Sequence, residues 1–228
     1  MAVISRPHRL LFIMAPRTGC TAIGELLRAE LGGEDIPPAD HPAVVNDGLE
    51  QKHITLRQLL RAGLLTPAER RALFVFSTVR NPFDSIVSLY VKQAAGYPTL
   101  KVDREQFVKR SGQRERSFRS AQESSFEEWL VANYEQSLRR RLSRRLRALR
   151  GERNKWLAGA DFVMRYERLQ EDFDDALRRA GVGRRLVMPH VNVTPGRERD
   201  YRAYYTPRAR RIVESWFAAE LAEFDYGF

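Results

Sequence analysis

Arg17, Thr18, Gly19 and Thr21 stand directly after the apolar run Leu10–Ala15 and just before a helical repeat of Ile23, Leu26, Leu27 and Leu31. Those residue types suit the binding of an anion. A loop that leads into a helix N-terminus gathers backbone N–H groups and the positive end of the helix dipole. Gly19 lets the backbone approach an oxyanion closely. The threonine hydroxyls can donate, and Arg17 adds a permanent charge on a planar donor fork. The same spacing would also serve a turn that merely joins a strand to a helix. The pattern G-x-x-x-x-G-K-[ST] is absent, which counts against an ordinary ATPase or GTPase, where the hydroxyl holds Mg²⁺. Cys20 lies in the same loop, where a small filler is a more ordinary role for it than redox chemistry.

A second set of anion donors follows another apolar run. Arg80 falls just after Leu73–Val79, and Ser88 stands eight residues further on, inside a helical repeat. Arg197 and Arg199 occupy a later loop, where they could close over a phosphate or simply be solvated. Proton transfer calls for a base that titrates near neutrality, usually histidine. The chain has His8, His41, His53 and His190. His53 follows Lys52 and precedes a helix-like stretch, Thr55 to Leu60, whereas His190 sits near Asn192 in a proline-flanked loop. His8 and His41 read as loop residues. Aspartate, histidine and cysteine do not cluster at metal-ligand spacing.

These groups need elements to hold them. Arg9–Ala15 reads as a buried strand, and the helix after Gly19 stops at Gly32-Gly33. Thr66-Pro67-Ala-Glu69 has the cap and first-turn proline of a short helix. It feeds a second strand, Leu73–Val79, and Asn81-Pro82 then opens a helix with Ile86, Val87, Leu89 and Tyr90 on its apolar face. Residues 97–124 are polar and irregular, an excursion or lid, although Ser125-Phe-Glu-Glu128 is a capping box before Trp129. Leu138, Leu142, Leu146 and Leu149 mark one face of an arginine-rich helix over 134–154. Phe162–Tyr166 is a third strand, followed by a helix that buries Phe173, Ala176 and Leu177 and stops at Gly181. Thr206-Pro207 starts a final helix reaching Leu221. Strands alternating with helices predict an α/β fold with a central parallel sheet covered on both faces. Its strands would end on one edge, so Arg80 would face the same crevice as the Arg17 loop.

At this point the chain resembles the sulfotransferases that use 3′-phosphoadenosine 5′-phosphosulfate (PAPS). Pro16-Arg-Thr-Gly-Cys-Thr21 is similar to their 5′-phosphosulfate loop, and Val79-Arg-Asn-Pro-Phe-Asp-Ser-Ile-Val-Ser-Leu-Tyr90 to their 3′-phosphate element. Gln51–Thr55, Ser125–Trp129, Phe162–Glu167, Pro189–Asn192, Arg199–Thr206 and Phe224–Phe228 resemble the carbohydrate-type branch. Many members carry lysine where Arg17 stands, and the arginine-rich helix has no counterpart in the resemblance.

The resemblance implies a single sulfotransferase domain over 1–228, three-layered α/β/α and similar to the P-loop NTPases. It implies transfer of a sulfuryl group from PAPS to a hydroxyl or amine of a carbohydrate or small molecule, with release of adenosine 3′,5′-bisphosphate and no metal. It assigns Arg17, Thr18, Gly19, Cys20 and Thr21 to the donor's 5′ end, with Arg17 also acting at transfer. Arg80 and Ser88 go to its 3′ end, to which the loop reading adds Arg197, and His53 becomes the candidate base with His190 the alternative. A P-loop-type kinase and a non-enzymatic polyanion-binding module are the competing readings.

Composition agrees with this class. The 228 residues suit one large domain, and 43% hydrophobic residues supply a core. Lys and Arg number 39 against 29 Asp and Glu, a net charge of +10 that points to anionic partners. Seven arginines between Arg139 and Arg150 form either a solvated face or a landing strip for an acidic acceptor. They lack interleaved aromatics, which disfavours nucleic acid, and a narrow apolar stripe without aromatics disfavours a membrane surface. The longest apolar run, six residues, falls far short of the roughly 20 that span a bilayer. No signal-peptide cleavage pattern is seen, and a lone cysteine forms no internal disulfide. A cytoplasmic protein is expected.

Overall fold

A computed structural model describes residues 2–38, 41, 53–96, 112–135, 154–189 and 197–228. Two compact units divide the chain: Met1–Arg80 with Glu152–Asn192, and Asn81–Gly151 with Val193–Phe228. The strand-and-helix alternation read from the sequence yields a mixed α/β fold.

The first unit is built on a five-stranded sheet of β1 (Ala2–Ser5), β2 (Leu10–Ile13), β3 (Glu34–Ile36), β4 (Phe74–Val79) and β5 (Phe162–Arg165), in the order β3-β1-β2-β4-β5. β2, β4 and β5 are parallel neighbours, while β1 runs antiparallel to both β2 and β3. Four strands therefore point the same way, and the sheet is mostly rather than wholly parallel. Alternation along each strand sends side chains to two faces. Val3, Leu10, Phe12 and Phe76 pack with α1 (Cys20–Leu31) through Ile23, Leu27 and Leu31, and with Phe173 and Leu177 of a later helix. Ala2, Ile4, Leu11, Ile13 and Val75 pack with Ile54, Leu56, Leu59 and Leu65.

That second cluster draws on α2 (Leu56–Arg61), which a Thr55–Gln58 capping box starts. It is followed by α3 (Pro67–Ala72), with its own box from Thr66 and Glu69 and proline at the first turn. Hydrogen bonds from the Thr66 backbone and hydroxyl hold the Glu69 carboxyl below its ordinary range.

The second unit holds α4 (Pro82–Ala94), α5 (Gly112–Glu123), α6 (Phe126–Tyr134), α8 (Pro207–Trp216) and α9 (Ala218–Glu223), while α7 (Leu169–Arg179) belongs to the first. Its core joins Phe83, Ile86, Val87, Phe126, Trp129, Leu130, Ala209 and Val213. An aromatic cluster closes it: Tyr205 meets Phe83, Phe126 and Phe228 edge to face, with centroids 5.5, 4.9 and 5.3 Å away.

Three expectations change. The sequence reading omits β1 and β3, which are three or four residues long. The β1–β2 turn runs Arg6-Pro7-His8-Arg9, with the Arg9 N–H donating to the Arg6 carbonyl at 3.2 Å and Arg9 at φ 50°. The latter half of the 97–124 excursion is helical, as α5. That helix has a mostly polar sequence and buries Ala121, and it is tied down by Ser117, whose hydroxyl donates to Gln93 and whose carbonyl accepts from the Trp129 indole. The final helix is broken at Phe217, which leaves helical geometry at φ −110° and ψ 20° and separates α8 from α9. The arginine-rich segment lies outside the described residues. No described helix is long and apolar enough to cross a membrane.

Candidate functional site

β2 ends in the buried pair Met14-Ala15 and turns through Pro16–Gly19 into α1. Arg17 and Gly19 both take positive φ, 67° and 72°. Thr18 is buried between them, and its hydroxyl donates to the Ala15 carbonyl at 2.9 Å. That proton braces the loop, so what Thr18 can offer an anion is its backbone N–H. Gly19 is the N-cap of α1 and has no side chain with which to cap it. No acidic residue stands in its first turn either, so the positive end of the dipole is not neutralised from within α1. The Cys20 side chain is 5% exposed and belongs to the core, as a small filler would. Thr21 is half-buried.

The pairing of β2 with β4 sets Ile13 beside Ser77, so both strands finish at one edge of the sheet. Arg80, the residue after β4, is 9% exposed and donates from Nη1 to the Arg17 carbonyl at 3.1 Å. The next pairing sets Val79 beside Arg165, so the residues that follow, Arg80 and Tyr166, are neighbours too. The Arg80 guanidinium carbon lies 4.1 Å from the Tyr166 ring centroid. Tyr166 also closes over the loop. A Cβ added at Gly19 would come within 3.2 Å of both its ring and the Leu169 side chain. Asp172, which accepts from the Arg165 N–H at 2.6 Å, ties this turn to α7. One sheet edge thus collects Arg17, Thr18, Gly19, Arg80 and Tyr166.

His53 reaches the same strand end. Its Nδ1 lies 2.8 Å from the Met14 carbonyl oxygen. A carbonyl only accepts, so Nδ1 carries the proton, and Nε2 of the neutral ring carries the basic lone pair. The His53 carbonyl accepts from the Trp156 indole N–H at 2.9 Å.

In the second unit, Ser88 is 6% exposed on α4, and Asp84 stands one turn before it on the same face. Arg197 pairs with Asp84, both side chains being 16% exposed. His190 lies outside the described residues.

Trp156, Tyr166 and Asp84 were not singled out from the sequence. Strand register could have found Tyr166, because it follows the third strand as Arg80 follows the second. Trp156 carries no comparable signal. Among the described residues, no group of three or more His, Cys, Asp and Glu side chains is placed to hold a metal ion.

A mostly parallel α/β sheet with a glycine-hinged strand–loop–helix turn at its edge defines a class of proteins that hold anionic groups at such edges. Within that class the chain belongs to the Sulfotransferase family, whose family-2 model matches residues 1–227. The protein is a transferase of sulfuryl groups by family. No curated protein and no solved structure matches the chain.

Proposed function

We propose that the protein transfers the sulfuryl group of PAPS to a hydroxyl or amine of a carbohydrate or small-molecule acceptor and releases adenosine 3′,5′-bisphosphate. The observation that carries this reading is the meeting of Arg80 with the Arg17–Gly19 loop at one sheet edge, in a chain of this family. Gly19 is the test of fit: its positive φ and the 3.2 Å approach of Tyr166 leave backbone, not side chain, facing a ligand at the α1 N-terminus. Such a cradle suits a phosphosulfate.

When bound, PAPS supplies an activated sulfuryl group. The backbone of Thr18, Gly19, Cys20 and Thr21 holds its 5′ end, and Arg17 offsets the charge that builds there during transfer. Arg80 holds its 3′-phosphate. The motif resemblance gives Ser88 the same role, and the sequence reading adds Arg197 as a loop charge for that phosphate. His53 takes the acceptor proton on Nε2, because Nδ1–H is engaged by Met14. The fold reading that goes with this is a three-layer, P-loop-like domain.

A thermal-shift comparison tests the reading. Adenosine 3′,5′-bisphosphate at about 100 times its Kd stabilises the protein by about 2.7 kcal/mol. ATP with Mg²⁺ gives a smaller shift. Stabilisation by ATP and Mg²⁺ alone would replace the reading with a kinase.

A further inference from the structure

The segment that carries His53 is braced from an element no motif touches. Residues 154–160 form a turn just before β5, and it is fixed at both ends. At its start the Asn154 side chain accepts from the Trp156 N–H at 3.1 Å, and Leu157 is 1% exposed. At its close Asp161 exchanges two hydrogen bonds with Val75 of β4, at 2.7 and 2.8 Å. Arg70 donates to both the Gly159 carbonyl and Asp161, each at 2.8 Å. Gly159 has φ 80°, and a Cβ there would stand 2.8 Å from Leu56, the first residue of α2. The turn therefore presses on the chain three residues after His53, and from this platform Trp156 donates to the His53 carbonyl.

His53 thus has two anchors of different kinds. The contact of Nδ1 with Met14 orients the ring, but it requires the His53 main chain to stay where the ring can reach that carbonyl. The Trp156 bond fixes that main chain. Without it the backbone rotates, Nδ1 loses its acceptor, and the neutral imidazole distributes its proton over both nitrogens. Then Nε2 is protonated in part of the population and cannot accept.

We propose that Trp156 is a positioning residue that holds His53 in the Nδ1–H tautomer and so presents Nε2 to the acceptor. The catalytic half of this inference rests on the reading of His53 as the base. The structural half does not.

The test is long-range ¹H–¹⁵N correlation on the full chain labelled at histidine, at a pH where the ring is neutral. It is run on wild type and on Trp156→Phe, which keeps an aromatic ring and removes the N–H. Wild-type His53 shows a protonated Nδ1 and a bare Nε2, and Trp156→Phe shows both nitrogens partly protonated. In the same variant kcat falls about tenfold, while donor KM and bisphosphate Kd stay within about twofold of wild type. A purely structural tryptophan would not move the tautomer. A wild-type ring protonated on Nε2 overturns the proposal with no variant needed, as does a folded Trp156→Phe with wild-type tautomer. A mixed tautomer with unchanged turnover upholds the coupling of Trp156 to His53 and removes His53 as the base.

Discussion

The Arg80 guanidinium lies 4.1 Å from the centroid of the Tyr166 ring while donating to the Arg17 carbonyl at 3.1 Å. Both contacts offer partial negative charge, one from a carbonyl dipole and one from a π-face. Together they hold a largely buried guanidinium in one orientation. The arrangement follows from register, since β4 and β5 pair Val79 with Arg165 and thereby set their successors side by side.

Arg80→Ala is therefore expected to weaken bisphosphate binding by about tenfold to 150-fold, the loss of a charge-assisted contact. Tyr166→Ala is expected to weaken it by about 2- to 30-fold, from about 0.5–2 kcal/mol of cation–π energy. Tyr166→Phe keeps the π-face and should stay within about twofold. Calorimetric titration of the folded variants measures all three. Equal losses in Tyr166→Phe and Tyr166→Ala would move the effect from the ring to the hydroxyl.

Gly19→Ala tests the loop itself. Alanine at φ 72° costs about 1–2 kcal/mol, and its Cβ meets Tyr166 and Leu169 at 3.2 Å. In a chain of this size that lowers Tm by about 2–8 °C. Bisphosphate affinity should fall as well, because the methyl group displaces Tyr166, on which the Arg80 guanidinium rests. Calorimetric melting with and without the bisphosphate separates the effects. Wild-type affinity in a destabilised Gly19→Ala protein would mean that this displacement does not reach the ligand.

The parts of the fold with strong patterns were legible in the sequence. β2, β4 and β5 are apolar runs that each lead toward a helical repeat, and the capping residues Thr66, Ser125 and Thr206 stand where the structure places them. β3 escaped because Glu34-Asp35-Ile36 holds a single apolar residue, β1 because it joins β2 through a tight turn and so stands outside the strand–helix alternation, and α5 because its sequence is mostly polar. In the site, the arginines and the glycine were visible as types at a spacing. Trp156 and Tyr166 were not, because they act through contacts between distant segments. Asp84 was hidden inside a motif read for its arginine and serine, although its pairing with Arg197 is what the second unit shows most directly.

That pair can be weighed with a double-mutant cycle on Asp84→Asn and Arg197→Ala. Asp84 sits in the first turn of α4, where its charge also meets the helix dipole, so each single variant mixes effects. The cycle removes them. With both side chains only 16% exposed, a coupling of about 1–3 kcal/mol is expected in urea unfolding, changing little with added salt. A coupling near zero, or one abolished by salt, would make the contact an ordinary surface pair.

Tyr205 provides the pH-dependent prediction. Its hydroxyl donates to the Phe83 carbonyl at 2.9 Å inside the aromatic cluster. Burial, foremost, and the neighbouring Tyr201 and Tyr134 push its phenol far above the ordinary 10.0. A folded-state pKa raised above the unfolded one favours the protonated form in the native state. Its contribution to stability is therefore fully present below about pH 10 and is lost as the pH climbs beyond it, by up to about 1.4 kcal/mol per pH unit for one proton. Tyr90 is raised in the same direction by burial and adds to the alkaline slope. Tyr205→Phe keeps the ring and removes the titrating group. At pH 7 it should cost about 0.5–1.5 kcal/mol for the lost hydrogen bond. Above pH 10 its stability should fall less steeply than that of wild type, so the gap narrows and then changes sign. Urea unfolding at intervals from pH 7 to 11 measures this directly. Parallel profiles across that range would show that the Tyr205 hydroxyl titrates alike in the folded and unfolded chains.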